Sequence, residues 1–414
     1  MIIIYRLLIN FILIFSPLII LIRLIKKKEH TFRFKEKFTF FSNKRKKGYL
    51  IWFHGASVGE VLSVIPLIEK LEKKKNINQI LVTSSTLSSS KIFDKFNFKK
   101  TIHQFFPIDS NFFSKRFLRY WKPNLAIFVD SEIWPNMLTN LKKKSVPHIL
   151  LNARITKKSF KRWKKLGLFS KNLFENFSAT YPQNIETTKY LKQLGAKRIK
   201  KIGNLKFSQN SYDTKLAIDR KLKNFMKNKK YWCATSTHEG EELICANTHL
   251  KLQKKYKNLV TIIIPRHIQR VAELENDLQK LGLKTHLHSS KNVIDKKTQI
   301  YIVDTYGETK LFFKVCKIIF LGKSISSKGG QNPLEPARYG CKVIHGPHIG
   351  NFREIYQLLD KNNIAFKING KNQLSNKIDQ FLKRNIRSKN AENKINILGD
   401  RILKESLIEL KFFE

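Results

Sequence analysis

The feature that most constrains this chain begins at Tyr49, where short apolar runs rich in β-branched residues alternate with longer segments of helical period. Runs of that length, separated by amphipathic helices, are the pattern of βα units laid on a parallel sheet. A first series predicts strands over Tyr49–His54, Gln79–Thr83, Leu125–Val129 and His148–Leu151, with helices from Val58 and after Pro135. The helix from Val58 has the clearest pattern, with Val58, Val61, Leu62, Ile65, Ile68 and Leu71 on one face. A second series predicts strands over Trp232–Ala234, Val260–Ile264, Gln299–Val303, Ile318–Leu321 and Lys342–Ile344, with helices from Glu239 and Gln269. Each series reads as one Rossmann-like half. The expected fold is therefore α/β, two Rossmann-like domains facing a central cleft, with ligands bound beyond the carboxyl ends of the strands. The polar, lysine-rich stretch 208–230 reads as the linker between domains at 29–207 and 231–385, with a helical tail at 386–414.

Ahead of the first domain, residues 2–25 are almost entirely apolar, broken by Arg6, Asn10, Ser16, Pro17 and Arg23. As a helix they reach roughly the 30 Å of a hydrocarbon core. The segment runs directly into Lys26-Lys27-Lys28 without a small-residue cleavage pattern, so residues 1–28 read as a retained membrane anchor and not as a cleaved signal. The positive-inside bias puts everything after it in the cytoplasm. Composition fits a spanning helix and a half-inserted, monotopic one equally, because Arg6 and Arg23 can both snorkel.

Against 31 Asp and Glu stand 80 Lys and Arg, a net charge of +49, which favours polyanionic partners such as phosphorylated substrates or an anionic membrane surface. The basic residues are not organised around exposed stacking aromatics, so nucleic acid is not expected. Cys233, Cys245, Cys316 and Cys341 show no metal-ligand spacing and read as buried thiols in a reducing compartment.

The chemistry should lie in the βα loops. In order these read His54-Gly-Ala-Ser57-Val-Gly-Glu60, Asp130-Ser-Glu132-Ile-Trp-Pro135, Ser236-Thr-His238-Glu239, Pro265-Arg266-His267 to Arg270, Asp304-Thr-Tyr306-Gly307-Glu308 and Gly329-Gly-Gln-Asn332-Pro333-Leu334-Glu335. Ser57 to Glu60, Ser236 to Glu239 and Thr305 to Glu308 match capping boxes, and Asn332-Pro-Leu-Glu335 reads as an N-cap with Pro at N1 and an acid at N3. Capping alone explains any one of them. All of them opening helices at one sheet edge, where unpaired N–H groups attract anions, is a stronger signal. Glu60 sits in a first turn, where the helix dipole suits it to accept a proton. Arg266 with Arg270 reads as a phosphate clamp, and Lys206 follows a strand at the linker's edge.

Other chemistries are excluded at the residue level. Gly322-Lys323-Ser324 imitates the end of a P-loop, but Lys317 stands where its first glycine is needed. No G-x-G-x-x-G follows a strand, which argues against a nicotinamide dehydrogenase. Asp130-Ser131-Glu132 resembles a metal-holding acidic pair, but the Ile-Trp-Pro that follows and the absence of a histidine nearby in sequence argue against magnesium, so no metal and no cofactor are assigned.

Taken in order, His54 to Glu60, Asp130 to Asn136, Asn152-Ala-Arg154, Gly203-Asn-Leu-Lys206, Ser236 to Glu241, Pro265-Arg-His267 and Gly329 to Pro336 resemble the 3-deoxy-D-manno-octulosonic acid (Kdo) transferases of lipid A biosynthesis. The resemblance runs from the apolar N-terminus to about Asn351-Phe352. It implies a GT-B fold, a CMP-Kdo donor, lipid IVA as acceptor, inversion without a required metal, and the cytoplasmic face of a bacterial inner membrane. Carried over by motif, Glu60 is the general base, assisted by Glu132 and Lys206. Pro265 and Arg266, Tyr306, Gly307 and Glu308, and Asn332, Pro333, Leu334 and Glu335 would hold CMP. Tyr306 departs from the family pattern, where methionine is expected. The competing reading is a non-hydrolysing sugar-nucleotide 2-epimerase, which shares the architecture but needs neither anchor nor lipid acceptor.

Overall fold

The computed structural model describes residues 1–209, 218–326, 329–383 and 389–413. Residues 210–217 of the expected linker, and 386–388 and 414 of the expected tail, lie outside the described residues. The chain forms two compact units, Met1–Asn210 with Leu398–Glu414, and Ser211–Ile397.

The first unit is built on β1 (Leu50–His54), β2 (Gln79–Ser84), β3 (Thr101–Phe105), β4 (Leu125–Val129), β5 (His148–Ala153) and β6 (Ala179–Pro182). They pair in the order β3-β2-β1-β4-β5-β6, parallel throughout. The strand order reverses between β1 and β4, and the loop after each of these strands therefore faces the crevice that such a reversal creates. Sequence patterning found β1, β2, β4 and β5. It missed β3 and β6, because Thr-Ile-His-Gln-Phe and Ala-Thr-Tyr-Pro lack an apolar run.

Edge strand β3 is covered by a 3-10 turn at Arg33–Phe38. Arg33 Nη2 donates to His103 O at 2.8 Å, and the Phe105 N–H donates to Glu36 Oε2 at 2.7 Å. The open edge is thus closed to further pairing. Under the sheet, Trp52, Phe117, Trp121, Phe128 and Phe174 are fully buried in one apolar cluster, the kind of aromatic payload that dominates core energetics.

The second unit contains β7 (Lys230–Thr237), β8 (Leu259–Pro265), β9 (Thr285–Leu287), β10 (Ile300–Ile302), β11 (Ile318–Leu321), β12 (Lys342–His345) and β13 (Ala365–Lys367). Their order is β13-β12-β11-β7-β8-β10-β9, again all parallel. Here the reversal lies at β7, with β8 on one side and β11 on the other. Trp232, Ile263, Ile302, Phe320 and Ile344 fill one face. The four cysteines are free and buried.

Helix α1 (Ile2–Ile25) is continuous through Pro17. Proline removes the N–H that would reach Leu13 O. The Ser16 hydroxyl donates to that carbonyl instead, at 2.7 Å.

Candidate active site

In the first unit the site grows from the ends of β1, β4 and β5. After β1 the chain turns through Gly55 into helix α2 (Val58–Leu71), and the expected capping box forms. The Glu60 N–H donates to Ser57 Oγ. Glu60 Oε2 accepts from the Ala56 N–H at 2.7 Å and the Ser57 N–H at 3.3 Å, and Oε1 accepts from the Ser57 hydroxyl at 2.8 Å. A Cβ on Gly55 would lie 3.0 Å from the Glu60 Cβ, so glycine leaves the carboxylate room to fold back over the turn. Burial pushes Glu60 up from 4.5 to about 6, helped by the negative charges of Glu132 and Asp130 and opposed by its hydrogen bonds to Ser57.

Glu132 follows β4. Its Oε2 accepts from Trp134 Nε1 at 2.8 Å and lies 3.0 Å from His54 Nε2. His54 is itself fixed, with Nδ1 3.0 Å from Thr83 Oγ1 and its ring stacked on Phe106 at 3.8 Å. Asp130 has a φ of 63°, an unusual conformation that aspartate tolerates better than most residues. It is buried, and burial raises its pKa while Lys206 and Arg154 pull it back.

Lys206 reaches this cluster by a route no local pattern encodes. The pairing of β5 with β6 shifts register between Leu151 and Ala153, and Asn152 sits in the shift with a φ of 53°. From there its Oδ1 accepts the Leu205 N–H at 3.0 Å, which holds the 3-10 turn Leu205–Ser208 that carries Lys206. The first unit thus gathers Glu60, Glu132, Asp130, Lys206 and Arg154 into one charge cluster.

The helix Pro135–Lys143 after Trp134 begins with proline, as expected, but has no cap of its own. Asp109, from the loop after β3, supplies it: Oδ2 accepts from the Asn136 N–H at 3.0 Å and Oδ1 from the Met137 N–H at 2.8 Å. Burial raises Asp109 to about 7 against these bonds.

In the second unit the expected residues follow β8, β10 and β11. Pro265 is buried at the end of β8 and Arg266 is exposed, its N–H donating to Thr237 O at 3.0 Å. Arg270, the other cation of the expected clamp, pairs with Glu242 at 3.6 Å and Glu273 at 3.7 Å. Tyr306 is 67% exposed, Gly307 has a φ of 96°, and Glu308 caps the helix Thr309–Val315 through its backbone alone. Asn332 Oδ1 accepts the Leu334 N–H at 3.1 Å, opening the helix Leu334–Arg338 with Pro333 at the cap position. Glu335 is exposed there, whereas Leu334 is fully buried, so any contact it makes with a ligand comes from its backbone.

Three expected helix starts shift. Ser236 lies inside β7 with a φ of 54°, and the next helix opens two residues after Glu239, at Glu241 behind Gly240. Thr305 makes no capping box, because the helix starts beyond Glu308. The helix expected from Gln269 begins at Val271, after a 3-10 turn at Ile268–Arg270. What organises the β7 and β11 loops is Glu241, fully buried, whose carboxylate accepts from the N–H groups of His238, Lys323, Ser324 and Ile325 at 2.7–3.0 Å. Gly322 permits the approach: a Cβ there would meet Ser236 O at 2.4 Å. The glycine of the false P-loop serves this close contact.

Residues 32–209 match the family model described as 3-Deoxy-D-manno-octulosonic-acid transferase (kdotransferase). A 3-deoxy-D-manno-octulosonic acid transferase of Rickettsia bellii is 34% identical over 364 residues, 88% of this chain and 87% of that protein. The chain belongs to the Kdo transferase family. A probable mitochondrial Kdo transferase of Arabidopsis thaliana is also 34% identical, over 89% of this chain and 85% of its own length. Among solved structures, the UDP-GlcNAc 2-epimerase of Neisseria meningitidis aligns over 89% of this chain and 100% of its own, with a TM-score of 0.60 and 13% identity. At that identity it bears on the fold alone, which is GT-B-like.

Of the Kdo transferase residues named from sequence, Glu60, Glu132 and Lys206 are brought together. His54, Trp134, Asp130 and Arg154 were present in the quoted motifs without a role. The geometry places His54 and Trp134 on Glu132, and Lys206 and Arg154 beside Asp130.

Proposed function

We propose that the enzyme transfers Kdo from CMP-Kdo to the lipid A precursor lipid IVA, with inversion at the anomeric carbon and Glu60 as general base. The observation that carries this reading is the half-buried Glu60 carboxylate, raised to about 6 within a cluster of two further acids and two cations. A base of that strength is ionised at neutral pH and still matched to proton transfer. The acceptor hydroxyl oxygen attacks the anomeric carbon of Kdo and forms the new C–O bond, and its proton passes to Glu60. The bond from that carbon to the CMP phosphate oxygen breaks, and CMP leaves with the electron pair. Glu132, steadied by Trp134 and His54, supplies negative charge toward the developing oxocarbenium character. Lys206 balances the acids around it.

On the donor side, the Arg266 guanidinium receives phosphate charge. The turns at Tyr306-Gly307-Glu308 and Asn332-Pro333-Leu334-Glu335 offer backbone groups, and the exposed Glu335 carboxylate suits ribose hydroxyls. The apolar α1 and the net charge of +49 suit an acceptor that is both lipid and bisphosphorylated, at the cytoplasmic face of a membrane.

The test is transfer by the full chain from CMP-Kdo generated in situ to lipid IVA, with products read by mass spectrometry. Glu60→Gln is expected to lower turnover by about 10² to 10⁴, with CMP affinity retained. Because the base must be ionised, wild-type kcat/KM should fall with pH about tenfold per unit below about 6, not below 4.5. Near-normal turnover in the variant would make Glu60 a helix cap only.

A further inference from the structure

One face of helix α1 is less exposed than the rest along its length, with Ser16 and Ile20 buried. Its less exposed residues are Ile2, Tyr5, Arg6, Ile9, Leu13, Ser16, Ile20, Arg23 and Leu24, a stripe at helical spacing. Near its start the Tyr5 hydroxyl donates to Asp109 Oδ2 at 2.9 Å and Arg6 Nε donates to Asn136 Oδ1 at 3.0 Å. At its end Arg23 Nε donates to Glu29 at 2.6 Å, and Lys37 holds the same buried carboxylate at 2.7 Å. From Tyr5 to Arg23 this docking covers about 27 Å of helix at 1.5 Å per residue. Across that length a helix standing upright in a bilayer would be surrounded by lipid, with its two ends on opposite sides. Here the first end binds Asp109 and Asn136 of the globular unit, and the last is tied through Glu29 to Lys37 of that same unit.

The stripe also sorts the side chains. Of the polar residues in α1, Tyr5, Arg6, Ser16 and Arg23 lie on the docked face, and only Asn10 looks outward. The opposite row, Ile3, Leu7, Phe11, Ile14, Leu18 and Leu21, is 54–71% exposed. The adjoining row, with Ile4, Leu8, Ile12 and Phe15, is exposed as well. That apolar arc is wider than the single seam a partner helix needs. Elsewhere in the first unit Phe32, Phe40 and Phe112 are also exposed, by 80%, 56% and 67%. Exposed Lys26, Lys27 and Lys28 follow the helix directly, and Arg116 lies over the Phe40 ring at 5.6 Å.

We infer that α1 is a monotopic anchor lying in the plane of an anionic phospholipid leaflet, its outer arc in the acyl boundary and its inner stripe fastened to the catalytic unit. The usual polar face of an interfacial helix is here replaced by protein, and the basic side chains meet lipid headgroups. The inference rests on the reading of a membrane lipid as acceptor and gives it a mechanism of access. Tyr5 and Arg6 grip Asp109 and Asn136, and Asp109 caps the helix that starts one residue after Trp134, the donor to Glu132. The carboxylate cluster is therefore fixed relative to the plane in which a glycolipid headgroup sits.

The test is a depth profile. Leu7→Cys, Phe11→Cys, Ile14→Cys, Leu18→Cys and Leu21→Cys are each spin-labelled in the full chain, whose own cysteines are buried, in vesicles of phosphatidylethanolamine and phosphatidylglycerol. The expected result is one common depth, about 5–10 Å below the headgroups, at all five positions. A depth maximum at Phe11 and Ile14 with shallow ends would mean a spanning helix and overturn the inference. Five water-exposed labels, or five shielded from both oxygen and water-soluble quencher, would remove lipid as the partner. Kdo transfer measured in the same vesicles separates the two readings: transfer with a central maximum sinks only the in-plane helix, and a common shallow depth without transfer sinks only the acceptor assignment.

Discussion

The loops of the first sheet and those of the second both close around a glutamate, and the two glutamates are used in opposite ways. Glu60 accepts three hydrogen bonds, stays half-buried and has its pKa raised to about 6. Glu241 accepts four backbone N–H groups, about the full capacity of a carboxylate, and is buried completely. The first retains a lone pair and access to a proton. The second has neither, and serves to tie the β7 loop to the β11 loop. Around them the pattern continues: acids and cations of the first unit lie within one charge cluster, whereas Arg266, Tyr306 and Glu335 of the second stand exposed after β8, β10 and β11. A preorganised charge cluster suits chemistry, where reorganisation during the reaction is costly. Exposed groups on a braced backbone suit a ligand that brings its own charge.

That contrast makes unequal demands on substitution. On stability the largest effect is expected from Glu241→Ala, which leaves buried donors without an acceptor at about 1–3 kcal/mol each, about 2–4 kcal/mol in all once some are rehydrated. Urea unfolding would measure it, and CMP affinity should fall with it. A loss below about 1 kcal/mol would show that the loops hold without their tie. Arg266→Ala should leave stability unchanged and weaken CMP binding about tenfold or more, the value of a charge-assisted hydrogen bond. Calorimetric titration with an unchanged affinity would remove Arg266 from the donor site. The smallest effect belongs to Trp134→Phe, which takes one of the groups holding Glu132. With His54 still in place, kcat should drop about threefold to tenfold while KM for the donor stays constant. A change in KM alone would place Glu132 in ground-state binding.

Two of the three capping-box patterns show how far local chemistry reaches. Ser57-Val-Gly-Glu60 and Ser236-Thr-His-Glu239 are equivalent as written, yet only the first forms. The helix after Ser57 begins at once, so its cap depends on four consecutive residues. After Ser236 the strand continues to Thr237, and the Glu241 carboxylate draws His238 toward the β11 loop some eighty residues away, moving the helix start beyond Gly240. Asp109 is the same lesson in reverse. Nothing near Pro135 announces a cap for its helix, because the cap comes from a different loop.

The strands β1, β2, β4, β5, β7, β8, β10, β11 and β12 were legible because a strand buried on both faces must be written in apolar residues. The edge and short strands β3, β6, β9 and β13 were not, since their places depend on the neighbour they pair with. In the same way, the sequence alone determined that Glu60 opens a helix after a strand, that a run of 24 residues from Ile2 is helical and apolar, and that the charge is strongly positive. These are properties of composition and of contacts within a few residues. Tertiary structure decided that Lys206 stands beside Asp130, through a register shift at Asn152, and that Arg270 pairs with Glu242. It also decided that α1 is held to the first unit at Tyr5 and Arg6, far from where the chain leaves the helix. Each of these depends on groups far apart in the chain meeting in one place, which folding settles by burying the apolar faces first and then satisfying the polar groups that burial brings together.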